Sequence, residues 1–144
     1  MTTPEVVRSY INHLCHEAGT TADAIYNPKT GAWYFARGSS TIEVFLTSYE
    51  TDQKTVRTFI RCFAPLHVVP PASIQQLDFF EGALAINTRY VGIKLGLIAG
   101  KGLLCVISER DIAGMDYAEM VTLISDAGYH ADQIDDFLKK KFSK

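Results

Sequence analysis

Residues 73–87 read SIQQLDFFEGALAIN, a stretch that predicts a helix with apolar side chains on two separate faces. At 100° per residue, the first face consists of Ile74, Leu77, Phe80 and Leu84. The second face, on nearly the opposite side, consists of Ala72, Phe79, Ala83 and Ile86. A helix that lies on its own sheet needs only one apolar stripe. We therefore favour a subunit interface for the second face, and burial within one larger core is the alternative.

The length and composition are those of one folded domain that spans residues 1–144. Of the 144 residues, 47% are apolar and 21% are charged, and such a chain can bury a core without metals or disulfides. The net charge of -2 provides no overall positive field for nucleic acid or anionic lipid. The sequence shows no signal peptide and no stretch apolar enough to cross a bilayer. We therefore expect a cytoplasmic protein with no membrane partner.

Turn residues divide the rest of the chain into strands and terminal helices. Thr3 as N-cap and Pro4 at the first helical position open a helix that Gly19 ends. Segments rich in β-forming residues and bounded by turn residues are 24–27, 32–37, 41–49, 54–64, 90–98 and 103–108. Asp116 opens a helix that Gly128 ends, and a last short helix follows. This pattern predicts an α+β fold, in the order α-β-β-β-α-β-β-α, with helices at the start, middle and end and a mostly antiparallel sheet of about five strands.

Prolines separate the strand region from the two-faced helix. Pro65 is expected to end the fourth strand, because proline cannot donate a ladder hydrogen bond. Pro70 and Pro71 follow, and either Ser73 as N-cap or Pro71 in the first turn would start the helix.

Aromatic and arginine side chains alternate along two neighbouring strands. Pairing of residues 41–49 with residues 54–64 would place Phe45 and Phe59 on the same sheet face. The candidates for a binding surface are Trp33, Phe35, Arg37, Phe45, Arg57, Phe59, Arg61 and Phe63. Such a face can stack bases and bind phosphate. Because the net charge is negative and no RNP-like motif is present, we favour protein binding or plain packing over nucleic acid.

No motif of catalysis, metal binding or cofactor binding emerges. His13 and His16 could share a helix face, but no third and fourth ligand can be assigned to them. Residues 96–102, GLIAGKG, lack the spacing and the hydroxyl residue of a phosphate loop and predict a hairpin turn instead. The cysteines, which lie in apolar patterns and predict reduced core thiols, are Cys15, Cys62 and Cys105. We therefore predict no catalytic residue, no metal site and no cofactor.

From residue 77 onward the succession of elements resembles that of YbjN-type proteins, bacterial chains described as sensory transduction regulators. The matching features are a helix that ends in the pair Ile86-Asn87, a hairpin through a glycine turn, an acid-capped helix and a terminal helix led by Ala131-Asp132. Residues 31–50, GAWYFARGSSTIEVFLTSYE, fit the first hairpin of the same family.

That family is similar, in its order of elements, to the class I chaperones of type III secretion. Those are small cytosolic homodimers in which a central helix forms much of the interface and sheet surfaces hold an unfolded segment of a partner. The resemblance implies a homodimer with Phe79, Ala83 and Ile86 at the dimer contact, and it brings no catalytic residues.

The function predicted from the sequence is therefore that of a non-catalytic, protein-binding adaptor, chaperone-like or regulatory, acting as a homodimer. An extended peptide from an unidentified protein would add its backbone to a sheet edge. The predicted partner-binding surface consists of Phe45, Arg57, Phe59, Arg61 and Phe63. The alternative is a small-ligand-binding protein or an enzyme with a pocket between helices and sheet.

Overall fold

The computed structural model describes residues 1–37, 40–68 and 74–142. Helices and an antiparallel sheet follow the predicted order, except for an additional short helix at Ala22–Ile25, which includes the first two residues of the predicted strand 24–27. The helices are α1 (Pro4–Glu17), α2 (Ala22–Ile25), α3 (Ile74–Arg89) and α4 (Tyr117–Phe142). The strands are β1 (Tyr26–Asn27), β2 (Ala32–Arg37), β3 (Ser40–Glu50), β4 (Val56–Val68), β5 (Lys94–Ile98) and β6 (Leu103–Asp111). The predicted α+β class is confirmed, and the two-residue β1 brings the sheet to six strands.

The six strands lie in the order β1-β2-β3-β4-β6-β5, and every neighbouring pair is antiparallel. One face of this sheet is covered by helices. The strand residues in the buried core cluster come from that face alone and include Ile42, Val44, Ile60, Cys62 and Val106. They pack with buried helix residues, among them Val7, Ile11, Phe79, Ile124 and Leu138. The opposite face carries no helix of the described chain, and we call it the open face.

Two predicted helix starts are confirmed by their capping hydrogen bonds. The hydroxyl of Thr3 accepts a hydrogen bond from the backbone N–H of Val6 at 3.3 Å. The carboxylate of Asp116 accepts one from the N–H of Glu119 at 2.7 Å. Both bonds satisfy N–H groups that the first helical turn leaves unpaired. The predicted start of α3 at Pro71 or Ser73 lies outside the described residues.

The prediction that Gly128 ends a helix is wrong, because α4 runs unbroken through it. At this point α4 crosses the sheet so closely that a side chain would collide with it. A Cβ atom at position 128 would lie 2.4 Å from Cδ of Arg37 and 2.8 Å from Cδ1 of Ile42. A side chain at position 128 would therefore force the side chains of Arg37 and Ile42 to shift.

The prediction that Pro65 ends the fourth strand is also wrong. β4 continues to Val68, and Pro65 pairs with Cys105 of β6. This position lies beyond Phe63, the last β4 residue paired with β3, and next to a register irregularity. Strands tolerate proline at such places because fewer ladder hydrogen bonds depend on its missing N–H.

The two faces of α3 are exchanged relative to the sequence prediction. Phe79, Ala83 and Ile86 are 0%, 5% and 2% exposed in the single chain, so these residues belong to its core and the assignment to a dimer contact is corrected. Leu77 and Leu84, on the face expected to pack on the sheet, are 71% and 68% exposed. Both faces carry bulky apolar side chains at helical spacing, so the pattern alone could not rank them.

Candidate partner-binding surface

The predicted partner-binding residues all lie on the open face. In the register of β3 and β4, Phe45 is opposite Arg61 and Thr47 is opposite Phe59. Because side chains alternate between the two sides of a strand, this register also directs the side chains of Arg57 and Phe63 to the open face. The structure thus brings together Phe45, Arg57, Phe59, Arg61 and Phe63 on one face, as the alternation along the two strands predicted.

Each arginine of this surface lies against two aromatic rings. The Arg61 guanidinium is 4.8 Å from the ring centre of Phe63 and 5.8 Å from that of Phe45. The Arg57 guanidinium is 5.1 Å from Phe59 and 5.9 Å from Tyr49. Such contacts are favourable, because the positive charge meets the negative face of the ring. These contacts order the guanidinium groups and the aromatic rings against one another on the open face.

Carboxylates from β6 pair with the same arginines. Glu109 accepts a hydrogen bond from Arg61 at 2.9 Å and another from Lys94 at 3.1 Å. Partial burial alone would raise the pKa of Glu109, but these two cations hold it below its usual range. Glu109 was not among the predicted site residues, because the predicted strand stopped at residue 108. The alternating run ISERD was the signal that could have extended it.

Asp111 pairs with Arg57 as Glu109 pairs with Arg61. It accepts a hydrogen bond from the N–H of Ala113 at 2.9 Å and one from Arg57 at 2.9 Å. These two partners hold the pKa of Asp111 below its usual range. Arg57, Arg61 and Lys94 are therefore each paired with a carboxylate, which leaves a phosphate backbone less positive charge than free arginines would offer.

Three of the proposed surface candidates lie on the other side of the sheet. Trp33 is only 7% exposed and belongs to the core, and Phe35 packs against it. Nε of Arg37 lies 3.4 Å from Asp132 of α4. These residues alternate in phase with Ile42 and Val44 across the strand pair, so their grouping with the open face is corrected.

A free stretch of strand edge borders the open face. Among the described residues, the pairs of β2 with β3 stop at Val44, whereas β3 continues to Glu50. Within the part of the chain that the structure describes, residues 45–50 therefore pair with β4 on one side and with no strand on the other. Natural proteins usually protect such an edge with lysine, proline or a bulge, and the segment FLTSYE contains neither lysine nor proline.

A pocket of 330 Å³ lies beside this edge. Its lining consists of Thr47, Tyr49, Phe59, Arg61 and Glu109. We call it the Phe59 pocket. The rings of Tyr49 and Phe59 stand 5.8 Å apart between their centres and form its aromatic wall. The volume lies at the lower end of the roughly 300–1,000 Å³ typical of small-molecule sites, and its outer wall is the free edge.

A second cleft lies between two helices. It measures 660 Å³ and is lined by Gln75, Asp78, Glu81, Gly82, Ala85, Arg89, Phe137, Lys141 and Phe142. This is the end of α4 against a flank of α3, and not the space between helices and sheet that the alternative function would use. Its lining contains two carboxylates and two cations, so it carries no net charge.

The described residues contain no cluster of three or more His, Cys, Asp or Glu side chains that could hold a metal ion. His13, examined as a ligand, pairs instead with Glu17 at 3.0 Å. All three cysteines are buried and free of disulfides, as predicted. Across the described ranges, no helix combines the length and the hydrophobicity that crossing a membrane requires.

Comparison with known proteins identifies the fold. No protein-family model matches the chain, and no curated protein matches it, so the resemblance to YbjN-type proteins stays a prediction. Among solved structures, a chain in the crystal structure of the ExsC-ExsE complex is similar, with a TM-score of 0.56 and 11% sequence identity. The match covers 99% of this chain and 97% of that one. At this identity the likeness shows the fold alone, and it confirms the predicted α+β architecture.

Proposed function

We propose that the chain is a non-catalytic protein-binding domain, a chaperone-like or regulatory adaptor in the bacterial cytoplasm. It holds an extended segment of a partner protein against the open face and along residues 45–50 of β3. The observation that carries this proposal is an aromatic sheet face that no helix of the described ranges covers, directly beside a strand edge that no described strand pairs with. Backbone hydrogen bonds at such an edge supply affinity, and neighbouring side-chain pockets supply specificity.

The composition of the open face suits protein recognition. Phe45 and Phe63 lie with their ring centres 5.2 Å apart and are both partly exposed. Aromatic residues and arginine are the types that most often carry the binding energy of protein interfaces. Each ring here is held by an arginine, so a partner would meet side chains that are already ordered.

The structural comparison also supports a protein partner. The similar fold occurs in a complex of two different proteins, ExsC and ExsE. Folds host unrelated functions, so this likeness adds to the argument from the open face and does not replace it.

We further propose that the protein acts as a homodimer through the exposed face of α3. Leu77 and Leu84 are exposed on this helix, Phe80 is partly buried beside them, and Val91 beyond the helix end is 90% exposed. Soluble monomers rarely leave large apolar side chains clustered in this way. A second copy presenting the same stripe would cover them, as an isologous dimer requires.

Site-specific photocrosslinking in cells tests the protein-binding function. Phe59 is replaced by benzoylphenylalanine, which keeps an aromatic side chain on the open face. Tyr129, which is 50% exposed on α4, receives the same substitution as a control. We expect a defined crosslinked partner from position 59 and none from position 129. Absence of any crosslink from position 59, or the same products from both positions, would contradict the proposal.

The cleft between α3 and α4 favours a second candidate, a small-ligand-binding protein. Its 660 Å³ volume lies within the range of small-molecule sites. Isothermal titration with a metabolite library tests this candidate, with Ala85→Trp filling the cleft. Saturable binding to the wild type that disappears in this variant would favour it over the adaptor.

A further inference from the structure

The Phe59 pocket lies on the open face at the centre of the free edge. Two residues of the stretch 45–50, Thr47 and Tyr49, line the pocket, and Thr47 is opposite Phe59 of β4. A strand added beside β3 would place one residue directly opposite Thr47, with Cβ atoms about 5 Å apart. Thr47 is small and exposed, so a long side chain at the paired position can lean across it into the pocket.

The walls of the pocket select an aromatic side chain. Tyr49 and Phe59 present two tilted rings, and the Arg61 guanidinium closes one side. A ring inserted here would contact other rings and a cation, both of which favour aromatic over aliphatic groups.

The charges of the pocket favour an uncharged hydrogen-bond donor. Glu109 already pairs with Arg61 at 2.9 Å and with Lys94 at 3.1 Å, so an added cation would be desolvated without a free carboxylate. An added carboxylate could not donate to Glu109. Glu109 accepts two hydrogen bonds, from Arg61 and Lys94. A carboxylate offers about four acceptor positions, so Glu109 retains capacity for one more donor.

We infer that the partner strand inserts one tryptophan or tyrosine into the Phe59 pocket, opposite Thr47, and that its N–H or O–H donates to Glu109. This inference rests on the proposed function, since it specifies which side chain of the bound segment is recognised.

Synthetic nine-residue peptides test the anchor. Each consists of threonine, serine and valine around one central residue, which is Trp, Tyr, Phe, Leu, Ala or Glu. NMR titration of the full chain measures Kd, and the amide signals of residues 45–50 report where the peptide binds. We expect the Trp and Tyr peptides to bind at least tenfold more tightly than the Ala and Glu peptides, and several-fold more tightly than the Phe and Leu peptides. Equal affinity across the series would overturn the inference.

Two pairs of protein variants test whether the preference for Trp and Tyr peptides arises in the Phe59 pocket. Thr47→Trp fills the pocket and should weaken the Trp peptide at least tenfold, whereas Ser48→Trp, on the opposite side of the same strand, should leave its affinity unchanged. Glu109→Gln should reduce the preference for Trp over Phe, whereas Glu119→Gln, which removes the carboxylate that pairs with Arg110 outside the pocket lining, should preserve it. Unchanged affinity in Thr47→Trp, in a chain that keeps the wild-type spectrum elsewhere, would refute the anchor site.

The crosslinking experiment in cells distinguishes an error in the proposed aromatic anchor from an error in the proposed protein-binding function. If position 59 crosslinks a partner whose attached segment contains neither Trp nor Tyr, or if Thr47→Trp leaves that crosslink intact, the anchor is wrong and the protein-binding function stands. If position 59 crosslinks no protein, both fail.

Discussion

Gly128 shows how the absence of a side chain allows a helix to lie close to a sheet. In an exposed helix, replacing glycine by alanine stabilises by about 1 kcal/mol. At position 128, however, the new Cβ would meet Arg37 and Ile42 at 2.4 and 2.8 Å. Both neighbours would have to shift, and the ion pair of Arg37 with Asp132 would be disturbed.

We therefore expect Gly128→Ala to lower the free energy of unfolding by about 1–3 kcal/mol, the usual cost of overpacking. Urea denaturation monitored by circular dichroism measures the change. Gly82→Ala in α3 is the matched control, because its Cβ would lie 3.8 Å from the Phe142 ring, an ordinary contact. That variant should be neutral or up to about 1 kcal/mol more stable. Equal effects of the two substitutions would remove close packing as the reason for Gly128.

Asn87 is a residue whose role depends on the packing of a helix end against a strand. Its side-chain oxygen accepts a hydrogen bond from the N–H of Leu95 at 2.7 Å and so ties the end of α3 to the start of β5. The pair Ile86-Asn87 belonged to the resemblance with YbjN-type proteins. In the structure, Ile86 packs in the core and Asn87 positions an edge strand.

Among the helices and strands, α3 exposes large apolar side chains that no part of the described chain covers. Leu77 and Leu84 lie seven residues apart on one face of α3 and are 71% and 68% exposed, and Val91, which is 90% exposed, follows the helix end at Arg89. The seven-residue spacing directs both leucines toward one partner helix. The helix packs on its own sheet through Phe79, Ala83 and Ile86, which leaves the seven-residue stripe for a second copy.

We expect the wild type to have the solution mass of a dimer and Leu84→Lys to have that of a folded monomer. A lysine at the centre of the stripe would have to be desolvated in the interface. Sedimentation equilibrium measures the mass, and circular dichroism checks the fold. The control is Val56→Lys, since Val56 is 64% exposed against 68% for Leu84 and lies on β4. A monomeric wild type, or dissociation by both variants, would refute the α3 interface. Ile86→Lys should instead unfold the chain, because Ile86 is only 2% exposed.

Across the whole molecule, ion pairs on the open face join strands that are far apart in sequence. Arg61 of β4 and Lys94 of β5 both bind Glu109 of β6, and Arg57 of β4 binds Asp111 of β6. The pKa values of both carboxyl groups are lower in the folded chain than their ordinary values of 4.5 and 3.8.

This difference predicts acid sensitivity. Because the unfolded chain binds protons on these groups more readily than the folded chain, their contribution to stability is present above pH 4.5 and is lost as the pH falls through the folded-state pKa values. We expect the urea midpoint to decrease from pH 6 toward pH 3, and to decrease less in the double variant Glu109→Gln, Asp111→Asn. The dependence should also weaken in high salt, since these groups are partly exposed. Identical pH profiles of wild type and double variant would rule out these carboxylates as the cause.

Local patterns in the sequence were sufficient for the α+β class, the caps at Thr3 and Asp116, the reduced cysteines and the common face of Phe45 and Phe59. Each of these depends on neighbours within a few residues or on strict alternation along a strand. The tertiary structure alone decided which stripe of α3 is buried, why α4 passes through Gly128, and that Glu109 and Asp111 complete the aromatic and arginine surface. Those outcomes depend on which distant segments come into contact, and the same apolar or acidic side chain can lie in a core, on a surface or beside an arginine according to that packing.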